Sequence, residues 1–113
     1  MVDDDNDINL TLKKILEEKG YYIHEFSNPL DALQKFRKGI YSLIILDIKM
    51  PKMNGFEFYN EIIKIDNNIK VCFLTAGETD YDRYNDILHR NLCLRKPIEN
   101  EVLLKTIKDI IQT

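Results

Sequence analysis

The sequence predicts an α/β fold in which a doubly wound parallel sheet carries helices on both faces. Three observations predict it. Apolar runs of strand length alternate five times with segments of helical periodicity. The two middle runs, at 43–46 and 69–74, are the most continuously apolar, as strands buried on both faces are. No repeat, low-complexity segment or Gly/Ser/Pro-rich linker divides the 113 residues, so one domain spanning 1–113 is expected.

The first strand is a stub, Met1 and Val2. The helix after it places Ile8, Leu12, Ile15 and Leu16 on one face, and Gly20 stops it. The second run, 21–26, contains His24 and Glu25 and so reads as an edge strand. Asn28 suits a helix cap and Pro29 the first helical position. Ala32, Leu33 and Phe36 then face inward, and Gly39 ends that helix. After strand 43–46, the turn signal Asn54-Gly55 starts a third helix carrying Phe56, Tyr59, Ile62 and Ile63. Strand 69–74 is followed by a weaker helical pattern through Tyr81, Tyr84, Ile87 and Leu88. Strand 92–94 precedes the strongest stripe: Leu103, Leu104, Ile107, Ile110 and Ile111. Right-handed crossovers between parallel strands follow from this alternation. The burial pattern fits the flavodoxin-like order 2-1-3-4-5, with a truncated first strand.

Composition narrows the function classes. With 44% hydrophobic and 31% charged residues the chain reads as an ordinary soluble domain. No apolar run approaches the roughly 20 residues that span a bilayer, and no leader opens the chain, so a cytoplasmic location is expected. The net charge is −3 and the Lys and Arg residues are scattered, which argues against direct nucleic-acid binding. Cys72 and Cys93 lie in apolar stretches and read as reduced core residues. His24 and His89 have no metal-ligand spacing and read as surface or edge residues.

The chemistry gathers behind the strands. In open α/β sheets, ligands bind beyond the carboxyl ends of the strands. Asp3 and Asp4 follow the first strand, Asp47 the third and Thr75 the fourth, while Arg95, Lys96 and Pro97 follow the fifth. One rim thus collects three carboxylates, a hydroxyl and an ammonium. Two like charges about 4 Å apart repel by roughly 4 kcal/mol at an effective dielectric near 20. A hard divalent cation removes that cost, and Mg²⁺ suits a site shared with waters and a phosphate oxygen. Beside it an aspartate can act as nucleophile and form an acyl phosphate. Thr75 can hydrogen-bond a phosphoryl oxygen and Lys96 can pair with its charge.

These residues resemble the receiver domains of two-component response regulators over essentially the whole chain. The matching segments are Val2-Asp3-Asp4, the ten residues from Leu46 to Gly55, Phe73-Leu74-Thr75-Ala76 and Arg95-Lys96-Pro97. The resemblance implies that Asp47 is the phosphoacceptor. It makes Asp4 a direct metal ligand, Asp3 a ligand through water, and the carbonyl of Lys49 a further ligand. It also implies a cis bond before Pro97, aiming Lys96 into the site. A sensor histidine kinase or phosphotransfer protein is the implied donor. An output partner could meet the face formed by the fourth helix, fifth strand and fifth helix.

The sequence departs from the family pattern in three places. Only two residues precede Asp3, Cys93 stands where an aromatic residue is usual, and Arg90-Asn91-Leu92 replaces the usual small pair. Lys49 and Gly77 offer no acceptor to position a water, so slow loss of the phosphoryl group is expected. Two other classes compete. An aspartate-dependent phosphohydrolase would carry a second Asp where Lys49 stands, and a scaffold that has lost phosphorylation would lack an acidic residue or the lysine.

Overall fold

The computed structural model describes residues 1–76, 86–87 and 91–112. Within them β1 (Leu43–Asp47), β2 (Lys70–Thr75) and β3 (Leu92–Arg95) form a parallel sheet in the order β1-β2-β3. Leu46 pairs with Phe73 and Phe73 with Cys93, which brings all three carboxyl ends to one rim. Beyond β1, Val2 makes single parallel bridges to Leu46 on one side and Phe26 on the other.

Side-chain alternation along the strands builds two cores. Ile44, Leu46, Val71 and Phe73 pack with Ala32, Phe36, Phe56, Phe58 and Ile62, from helices α2 (Pro29–Lys35) and α3 (Gly55–Ile65) and the residue after α2. Ile45 and Leu74 face the other way, onto Leu12 and Leu16 of α1 (Asn6–Glu18) and onto Leu103 and Ile107 of the last helix, Asn100–Gln112. Helices cover both faces, as the alternation predicts.

Local chemistry sets the element ends. Asp5 caps α1 by accepting from the backbone N–H groups of Asp7 and Ile8. Gly20, at φ +92°, closes it while the Tyr21 N–H reaches the Leu16 carbonyl. Asn28 caps α2 as expected, with Pro29 in its first turn. That helix stops at Lys35 rather than Gly39: Phe36 is extended, and the Arg37 guanidinium binds the Gln34 and Phe36 carbonyls.

Three further expectations are altered. The 21–26 run contributes a single bridge at Phe26, flanked by hydrogen bonds from the Met1 ammonium to the His24 carbonyl and from the Phe26 N–H to the Met1 carbonyl. A cavity of about 370 Å³ lies there, bordered by Tyr21, Ile23, Leu43, Ile45 and Ile111, and Ile111 is exposed rather than packed. Cys72 is buried and free, but Cys93 is exposed on β3, so only one of the two cysteines is a core residue. His24 is exposed as expected, with its Nδ1 2.9 Å from the Tyr41 hydroxyl. His89 and the Tyr81, Tyr84 and Leu88 positions of the expected fourth helix lie outside the described residues, and Ile87 is helical. Among the described residues no helix is long and apolar enough to cross a membrane.

Candidate functional site

The Val2 bridge carries the amino end of the chain onto the rim. The Val2 N–H donates to the Ile45 carbonyl and the Asp47 N–H to the Val2 carbonyl, both at 2.8 Å. Asp3 therefore emerges alongside Asp47. Carboxylate oxygens of Asp3, Asp4 and Asp47 all lie within 4.8 Å of one another. Asp3 is fully buried, Asp47 is 3% exposed, and Asp4 faces solvent.

Lys96 closes the group from the far side of the sheet. Its backbone N–H donates to the Thr75 carbonyl at 2.7 Å, and the Lys96–Pro97 peptide is cis, as expected. The ammonium donates to Asp3 Oδ2 at 2.8 Å and to Asp47 Oδ1 at 3.3 Å. Asp3 Oδ1 accepts from the Asp5 N–H at 2.9 Å, so both oxygens of this buried carboxylate are engaged. Burial alone would lower the Lys96 ammonium, but the hydrogen bond and charge of Asp3 and of Asp47 outweigh it and hold it above the ordinary lysine range.

Asp47 bears the unfavourable share of this arrangement. Burial, then the charges of Asp3 and Asp4, push its carboxyl up to about 6 against the pull of Lys96. Its folded pKa exceeds its unfolded one, so the native state holds a proton more tightly between about pH 4 and 6. Asp47 therefore costs stability progressively as pH rises through that window, and the cost persists above it. In EDTA, Asp47→Asn is expected to melt close to wild type at pH 4 and several degrees higher at pH 7. The expected gain is on the order of 1 kcal/mol, discounted for water reaching the site. Thermal melts across that range check it, and a gain at pH 4 equal to that at pH 7 would contradict it.

The structure thus brings together Asp3, Asp4, Asp47 and Lys96. Thr75 ends β2, half-buried on the same rim, with Arg95 paired beside it. Lys49 lies two residues past Asp47 with an exposed side chain, and the ligand role of its carbonyl rests on the resemblance. Gly77 lies outside the described residues. Three hard carboxylate oxygen donors on one rim suit a divalent cation with oxygen ligands.

Two residues support the site in ways the sequence reading did not give: Gly55, read there only as a turn residue, and Asn9, which was not singled out. A Cβ on Gly55 would collide with the Asp47 carbonyl oxygen and lie 2.9 Å from Ile48 Cα. The start of α3 is fixed there by a capping box between Asn54 and Glu57, and the Gly55 N–H donates to the Ile48 carbonyl at 2.7 Å. The other residue is Asn9, 2% exposed, whose side-chain amide donates to the Asp3 carbonyl at 2.7 Å. A signal existed for Asn9, a polar residue on the same helical face as Leu12 and Leu16.

Comparison with known proteins places this geometry. The family model described as response regulator receiver domain matches residues 1–108. The chain is 39% identical over 113 residues to a transcriptional regulatory protein CpxR homolog of Haemophilus influenzae, covering 99% of this chain and 49% of that protein. It is 31% identical to sporulation initiation phosphotransferase F of Bacillus subtilis, covering 96% and 88%. The crystal structure of response regulator protein TrrA from Thermotoga maritima, in complex with Mg²⁺-BeF, superposes with a TM-score of 0.82 at 34% identity, covering 96% and 94%. The chain spans about half the length of the transcriptional regulators it matches.

Proposed function

Since the chain belongs to the response-regulator receiver family, a family of signalling phosphoacceptors, we propose that Asp47 is its phosphoacceptor and that Asp3, Asp4, Asp47 and the Lys49 carbonyl hold a Mg²⁺ ion beside it. The observation that carries this reading is the convergence of three carboxylates on one ammonium at the carboxyl end of the sheet. Magnesium bound there supplies charge neutralisation for the phosphoryl oxygens during transfer. An Asp47 carboxylate oxygen attacks the phosphorus of a phosphohistidine. The new O–P bond forms as the P–N bond breaks, and the electron pair leaves on the donor imidazole nitrogen. Lys96 then pairs with the phosphoryl charge and the Thr75 hydroxyl donates to a phosphoryl oxygen. By the same groups the chain catalyses its own phosphorylation and dephosphorylation.

The wider reading follows from this chemistry. The donor is a sensor histidine kinase or phosphotransfer protein, in the cytoplasm, and residues 1–113 act as one receiver unit. The five-strand order 2-1-3-4-5 belongs to this proposal, supported by Val2 bridging to Phe26 on one side and Leu46 on the other. Output passes to a partner protein or domain, rather than nucleic acid, through the face that includes the expected fourth helix. Most of that helix lies outside the described residues.

The metal half of the proposal has its own test. Millimolar Mg²⁺ is expected to raise the melting temperature, by about 2.7 kcal/mol of stability at a hundred times its dissociation constant. Asp4→Asn is expected to lose most of that shift. Equal shifts in both proteins would move the ion elsewhere.

A further inference from the structure

We infer that Asn9 is the positioning residue that turns Asp3 and Asp4, consecutive in sequence, toward one metal ion. The inference rests on the metal site proposed above and deepens it. Successive side chains of an extended strand point to opposite faces. Asp3 and Asp4 nevertheless bring carboxylate oxygens within 4.8 Å of each other and of Asp47. The backbone must therefore leave its extended course immediately after Asp3, and it does so in a bend at Asp4.

That bend takes the Asp3 carbonyl out of the ladder that Val2 belongs to. The Val2 N–H and carbonyl pair with Ile45 and Asp47, and the Asp3 N–H pairs with the Phe26 carbonyl at 3.1 Å. The Asp3 carbonyl instead accepts from Asn9 Nδ2 at 2.7 Å, a bond buried from solvent. The same amide nitrogen lies 3.4 Å from the Phe26 carbonyl, so one side chain of α1 clamps both the turning peptide and the segment beside it. Its own Oδ1 is buried, with no hydrogen-bond partner among the described residues. A leucine on this buried face would fill the space but leave the Asp3 carbonyl without the donor that Asn9 gives it. Asn9 contacts neither Asp47 nor Lys96 through any described hydrogen bond, so it acts on the metal through the Asp3–Asp4 peptide alone.

The test is Mg²⁺ titration by calorimetry at 10 °C on wild type, Asn9→Leu and Asn9→Ser, each first shown folded by its melting curve. Asn9→Leu keeps the branched shape and removes the donor, while Asn9→Ser leaves a smaller polar group and room for a water. Loss of the clamp is expected to weaken Mg²⁺ binding about tenfold or more in Asn9→Leu and less in Asn9→Ser. A folded Asn9→Leu with lower melting temperature but wild-type Mg²⁺ affinity would overturn the inference and leave Asn9 a packing residue. If Asn9→Leu does not fold, a wild-type affinity in Asn9→Ser overturns it equally. Absence of Mg²⁺ binding in wild type would instead remove the metal site itself.

Discussion

Lys96→Met is expected to lower the melting temperature by roughly 10 °C in EDTA, and Mg²⁺ to restore most of the loss. The substitution keeps the aliphatic stem and deletes only the charge. Asp3, fully buried, then loses the partner of its Oδ2, and Asp47 loses the cation that offsets its burial. Removing one member of a buried pair costs about 3–5 kcal/mol. Protonation of Asp47, whose carboxyl is already pushed up to about 6, relieves part of that, leaving about 2–3 kcal/mol. For a domain of this size that corresponds to roughly 10 °C. A divalent cation replaces the lost positive charge, so the Mg²⁺-induced shift is expected to exceed that of wild type. Differential scanning calorimetry in EDTA and in Mg²⁺ checks both parts, and an unchanged melting temperature in EDTA would contradict the account of the ion pairs.

Gly55→Ala is expected to damage both fold and labelling. The added Cβ meets backbone atoms of Asp47 and Ile48, not the flexible end of a side chain. Either the start of α3 or the end of β1 must shift. Overpacking of this kind costs about 1–3 kcal/mol. Because the displaced atoms belong to Asp47 itself, the carboxylate moves with them, and a misplacement near 1 Å can cost about a hundredfold in rate. Gly55→Ala is therefore expected to label at least tenfold more slowly than wild type, even at temperatures where it remains folded. Normal labelling in a folded variant would show that the loop absorbs the methyl group without moving Asp47.

The sequence made the rim legible because strand ends are marked by a change from apolar to polar residues. Asp47 directly follows four apolar residues, Thr75 directly follows its own run, and Lys96 stands one residue beyond the end of the run at 92–94. Helix starts were legible for a similar reason, since Asn28-Pro29 and Asn54-Gly55 carry local capping chemistry that needs no tertiary contact. The run at 21–26 pairs as a strand only at Phe26 among the described residues, because strand pairing depends on a neighbour that a local run does not record. Cys93 was misjudged because an apolar run records strand formation and not which edge is covered. Asn9 was passed over and Gly55 was read only as a turn residue because their partners, Asp3 and Asp47, lie across the fold rather than along the helix.

The central claim is tested most directly by intact-mass spectrometry after incubation with acetyl phosphate. Wild type with Mg²⁺ is expected to gain a single phosphoryl adduct. Asp47→Asn, and wild type in EDTA, are expected to gain none. An adduct that persists in Asp47→Asn would place the phosphoryl group on another residue and contradict the account.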